Sequence, residues 1–180
     1  DLTLASGCAV DGAAILSQGG LWLSGLAIRW STAIHSGGAI YHNDNGILSV
    51  VNCRFEHCDA YTEGGAIAAV AGTVGIGGSS FEANTAGGDG GAVYLNGSAA
   101  QAVVILSSFS RNAAINAGGG IAVGSTGSLL LTRCTIDENR AAYGGGIYNF
   151  GTLGLILGTI SGNTADHEGG GIRSSGTAAC

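Results

Sequence analysis

Phe81-Glu82-Ala83-Asn84-Thr85-Ala86-Gly87-Gly88-Asp89-Gly90-Gly91-Ala92-Val93 is one statement of a pattern that runs through the whole chain. Its second half, Gly-Gly-(Ala or Gly)-(Ile or Val), ends at Ile40, Ile67, Val93, Ile121, Ile147 and Ile172, in steps of 27, 26, 28, 26 and 25 residues. Its first half is a bulky apolar residue followed three later by a small polar one. These pairs are Ile28/Ser31, Phe55/Cys58, Phe81/Asn84, Phe109/Asn112, Ile136/Asn139 and Ile160/Asn163, eleven or twelve residues ahead of each block's end. Two motifs at a fixed offset and period mark a repeat architecture, in which most residues have a structural duty before any other.

A period near 26 residues fits either a helix pair or a coil of strands, and the local chemistry decides. The apolar segments are short and rich in Leu and β-branched residues, as in Ile47–Val51, Val103–Leu106 and Leu153–Leu157, and are bounded by Gly, Ser, Asn and Thr. Paired glycines in every repeat would cost a helix about 1 kcal/mol each relative to Ala. The pattern therefore predicts an all-β, right-handed parallel β-helix of about six to seven coils. Each coil holds three short strands in ~26 residues and lies about 4.8 Å above the last. Residues 1–180 read as one domain, a degenerate first coil over 1–20 followed by regular coils over 21–180, and as a segment of a longer protein.

Stacking assigns the repeated residues. Ile40, Ile67, Val93, Ile121, Ile147 and Ile172 form one inward column. Ile28, Phe55, Phe81, Phe109, Ile136 and Ile160 form a second. Asn84, Asn112, Asn139 and Asn163 form a corner ladder, with Ser31 and Cys58 in its lower positions, where it is expected to weaken. The same register sets Arg29 below Glu56 and Arg111 below Glu138.

Composition narrows the function classes. The net charge is −6 and all six basic residues are Arg, which argues against nucleic-acid binding and against an anionic membrane. No apolar run approaches the ~18–20 residues of a transmembrane helix. Cys8, Cys53, Cys58, Cys134 and Cys180 follow no disulfide or zinc spacing; buried free thiols are the default, and Cys180 is free to pair beyond the segment.

The Gly-Gly-Ala-Ile and Phe-x-x-Asn blocks, at Gly64–Ile67 with Phe81–Asn84 and at Gly90–Val93 with Phe109–Asn112, resemble the repeats of the polymorphic outer membrane proteins. Gly144–Asn149, Gly151–Leu153 and Thr159–Ala165 are similar to repeats of large secreted proteins of the pectate-lyase-like, right-handed β-helix superfamily. The resemblance spans residues 28–176. It implies a secreted or cell-surface structural or adhesive segment. The open coil ends of such a rod are exposed strand edges, so flanking domains or neighbouring copies are expected to cover them, the latter giving a fibre. The resemblance offers no catalytic set, and no cofactor or metal is expected.

The rival reading is a polysaccharide-binding or lyase- or epimerase-like module. Its weak catalytic candidates are His42, His57, Asp59 and Glu63, within a polar stretch that also holds His35 and Asp44. The spacings of His35, His42, His57 and Cys58 match no metal motif. Tyr41, Tyr94 and Tyr148 alternate with Ala68 and Ala122 on one outer face and could stack on sugar rings, although aromatics are ordinary strand composition. Asn96-Gly97-Ser98 is a glycosylation sequon. A flat threonine array of the ice-binding kind is absent.

Overall fold

A computed structural model describes residues 2–97 and 100–179. Among them are 28 strands and no helix, so no helix is long and apolar enough to cross a membrane. The strands form four seven-stranded sheets in which every pair is parallel and every neighbour is one repeat away. The protein is a β-solenoid of seven stacked coils.

Each coil contributes one strand to each sheet, so the coil has four strands rather than the expected three. In coil 4 they are Ser80–Glu82 (the Phe sheet), Thr85–Ala86 (the short sheet), Val93–Leu95 (the glycine sheet) and Gln101–Ile105 (the long sheet). The fourth strand arises because Phe-x-x-Asn-Thr-Ala is broken in its middle. Ala83 sits at φ 53°, and Trp30, His57, Arg111 and Glu138 hold the same corner at 53° to 56°. A left-handed residue reverses the strand's direction, at about 1–2 kcal/mol for a non-glycine. After Ala83, Arg111 and Glu138 a buried Asn follows and offsets this cost.

The glycine pairs are required twice over. The first of each pair turns the chain: Gly64 has φ +66°, and a Cβ there would stand 2.3 Å from the Ile67 carbonyl oxygen. The second lies against the next coil: a Cβ on Gly65 would be 2.1 Å from the Gly91 oxygen.

The core runs the length of the rod. Ile15, Ile40, Ile67, Val93, Ile121, Ile147 and Ile172 pair in register up the glycine sheet. Leu4, Ile28, Phe55, Phe81, Phe109, Ile136 and Ile160 do so in the Phe sheet. The rings of Phe55, Phe81 and Phe109 stack with centroids 4.8 and 4.7 Å apart and planes within 3°. That spacing is the coil repeat itself, so each ring lies flat on the one below. Such pairs contribute about 0.5–1.5 kcal/mol beyond the area they bury.

Candidate functional site

Polar groups inside the rod are occupied with holding corners. Each ladder amide uses both ends. Asn112 donates through Nδ2 to the Phe81 oxygen (3.0 Å) and to Asn139 Oδ1 (3.0 Å), while its own Oδ1 accepts from the backbone N and Nδ2 of Asn84, both at 2.9 Å. Asn139 repeats this against Phe109 and Asn163 at 2.9 Å each. Below Asn84 the ladder ends: the Cys58 thiol reaches the Ile28 oxygen only at 3.6 Å, and the buried Ser31 hydroxyl has no partner.

A second corner column joins the long and Phe sheets. Ser79 Oγ accepts from the Cys53 N–H at 3.0 Å, and Ser107 Oγ from the Ser79 N–H at 3.1 Å. The Cys134 thiol donates to the Val104 and Thr132 oxygens, both at 3.4 Å. Burial pushes the Cys134 thiol up and the Cys58 thiol up to about 11. Cys53, Cys58 and Cys134 are buried free thiols; Cys8 is free and exposed, and Cys180 lies outside the described residues.

The structure does not gather the enzyme candidates. His42 is fully buried, its Nδ1 2.9 Å from Ser17 Oγ and its Nε2 3.4 Å from the Gly46 oxygen, so it fastens a loop from within. His57 is exposed at the corner after the Phe sheet and stacks on Trp30 (4.1 Å, 4°). Asp59 points from the short sheet and accepts from Thr85. Glu63 precedes the glycine pair and accepts from Ser36 Oγ at 2.7 Å. One of the four is thus interior and the others occupy three separate stations around the coil. His35 is exposed, and Asp44 accepts the Gly46 N–H at 2.7 Å. Among the described residues no group of three His, Cys, Asp or Glu could hold a metal ion.

Four of the six ion pairs among the described residues join neighbouring coils. Arg29 meets Glu56 at 2.8 Å. Arg111 meets Glu138 on the coil above at 3.8 Å, as the register sets it, and makes its shorter contact with Glu82 on the coil below, which register alone does not give. Such exposed pairs contribute about 0–1 kcal/mol each.

The tyrosines and a set of carboxylates share the outer face of the glycine sheet. Tyr41, Ala68, Tyr94, Ala122, Tyr148 and Arg173 stack in that order. The tyrosines are half-buried, and Ala68 and Ala122 are buried between them. Beside this column stand Asp11, Glu63, Asp89 and Glu168, each the residue before a positive-φ glycine. Burial raises the Asp89 carboxyl, the nearby Glu63 adds to this, and the Ala117 N–H opposes it. Burial likewise raises the Tyr94 hydroxyl, opposed by its bond to Asn96 and helped by Glu63 and Asp89. Tyr41 is raised by burial, Asp11 and Glu63. Asn96, the acceptor of the sequon, donates through Nδ2 to the Tyr94 hydroxyl (2.9 Å); Ser98 of the sequon lies outside the described residues.

The carboxylate column was not expected from sequence. Its signal was available, since Glu63, Asp89 and Glu168 each precede a Gly-Gly pair and Asp11 precedes the glycine of the degenerate first block.

Residues 78–96, about one coil without its long strand, match the repeat of the Chlamydia polymorphic membrane protein family. The matched repeat and the β-solenoid fit a polymorphic membrane protein-like repeat β-helix. No curated protein matches the chain, and no solved structure does. Within the matched repeat, Phe81, Asn84, Gly90, Gly91 and Val93 are core and corner residues.

Proposed function

We propose that this chain is a rod-like structural segment of a cell-surface protein whose lateral faces make adhesive contacts. The observation that carries this reading is the match of one coil to a polymorphic membrane protein repeat inside a β-solenoid. The motif residues give the rod its shape, and shape is what a spacer contributes. The separation of His42, His57, Asp59 and Glu63 around the coil supports a non-catalytic role.

Protease treatment of intact cells carrying the native protein tests the location. Antibody raised to this chain should lose its signal without lysis; full protection until the cells are broken would overturn the reading.

The coil ends belong to the same proposal. Leu155, Ile160 and Ile172 are only partly covered, and Leu155 and Ile160 line an apolar cavity of about 320 Å³ with Leu131 and Ile136. Flanking sequence or a neighbouring copy covers this surface. The isolated chain should therefore self-associate in sedimentation velocity, and a strictly monomeric chain at high concentration would remove the copy-to-copy part.

A further inference from the structure

At the top of the glycine-sheet face the protein binds an arginine of its own. The Arg173 guanidinium carbon lies 5.2 Å from the centre of the Tyr148 ring and 5.4 Å from that of Tyr143. Its Nε meets Glu168 at 2.8 Å, and a terminal nitrogen donates to the Tyr148 hydroxyl at 3.1 Å. Planar cation, aromatic faces and in-plane carboxylate are all present.

Two coils lower, the same columns hold the aromatic and the acid but no cation. Tyr94 occupies the column position of Tyr148, and Asp89 stands beside it. The next coil up carries only Ala117 and Ala122 where coil 7 carries Glu168 and Arg173. The missing side chains leave a notch of about 230 Å³ lined by Asp89, Tyr94, Ala122, Ser125, Tyr148 and Phe150. We propose that this notch binds the guanidinium of an arginine side chain presented by a basic segment of a partner protein.

The dimensions fit. At the backbone Tyr94 and Tyr148 are two coils, about 9.6 Å, apart, a gap that admits one planar group within the ~6 Å reach of a cation over a ring. Electrostatics agree. Of the six ion pairs among the described residues none includes Asp89 or Glu63, so this half-buried carboxylate and its acidic neighbour lack a cation. The chain's net charge of −6 favours a basic partner over an anionic one.

The site deepens the adhesive reading and rests on it for its biological partner, but its test uses the isolated chain, so failure here leaves the surface location untouched. The 180-residue protein is titrated with acetyl-Gly-Arg-Gly-amide and followed by amide NMR shifts. Saturable shifts are expected at Tyr94, Ala122 and Tyr148, weakened by added salt, with the citrulline peptide binding at least tenfold more weakly. Asp89→Asn should weaken binding at least fivefold. Ala122→Arg, which tethers a guanidinium in the notch as Arg173 is tethered above, should abolish it while leaving the rest of the spectrum in place. Lack of saturation, equal binding of the citrulline peptide, or an Asp89→Asn protein that binds as before would each overturn the proposal. Shifts at the same amides with chitotriose and none with the arginine peptide would overturn it in favour of a glycan.

Discussion

Coils 4 to 7 and coils 1 to 3 turn the same corner with different chemistry. Above, Asn84, Asn112, Asn139 and Asn163 fill the corner with amides that bond upward, downward and to the backbone. Below, Cys58, Ser31 and Gly7 stand in the same place. Yet the preceding residue keeps its left-handed turn in both halves, at φ 53° for His57 and for Ala83. The Phe-sheet register also continues unbroken from Leu4 to Ile160. The corner's shape is therefore set by stacking of coil on coil, and the ladder supplies stability on top of it.

The comparison can be broken hardest from above. Asn112→Ala removes two donated bonds and strips the Asn84 amides of their acceptor, all in the dry interior. With unsatisfied buried groups at about 1–3 kcal/mol each, a loss of about 3 kcal/mol is expected in urea unfolding. A loss below about 1 kcal/mol would show that the ladder is ornamental.

Alkaline pH probes the lower half. The Cys58 thiol is held up to about 11 by burial, from an ordinary value of 9.0. Its folded value lies above its unfolded one, so its contribution is intact below about pH 9 and is lost as pH rises through 11. Stability should fall by about 2–3 kcal/mol over that window. Comparison of denaturation midpoints with the Cys58→Ala protein isolates this share; parallel pH curves for the two would contradict it.

Cys58→Asn sharpens the contrast in the other direction. The new amide has the Ile28 oxygen and Asn84 Oδ1 within its corner, and it extends the ladder by one rung. A gain of about 1 kcal/mol is expected, together with loss of the alkaline sensitivity. The smallest effect belongs to Ser31→Ala. Its hydroxyl is buried without a partner, so removal should change the unfolding midpoint by no more than about 0.5 kcal/mol, and toward higher stability. A clear loss would mean that Ser31 has a bond after all.

The period, the two inward columns and the Asn ladder were legible because stacked coils repeat one residue type at one height. The fourth strand was hidden because its corner residues, from Trp30 to Glu138, carry no Gly to announce a positive φ. His42 was legible and misjudged: the alternation that puts Tyr41 outside puts the next residue inside. Arg111 shows the limit of register, since a long side chain at a corner reaches down as readily as up. The Arg173 cluster depends on the irregularity between Ala141 and Tyr143, which shifts Tyr143 onto Glu168 and which the sequence records only as a one-residue difference, eleven residues from Ile136 to Ile147 against twelve from Ile160 to Ile172.

The ladder also gives the rod an arrow. The amide-to-amide bonds run one way: Nδ2 of Asn84, Asn112 and Asn139 each donates to the Oδ1 of the next Asn up, and no bond runs in the opposite sense. Amide dipoles aligned head to tail add, as they do along a helix. At this column the last rung has both Nδ2 hydrogens spent on Ile136 and Ser161 and offers its backbone N–H, so a joint between two such faces would set donor against donor. Such a molecule can be lengthened in one sense only, like a plug that fits a socket but not another plug.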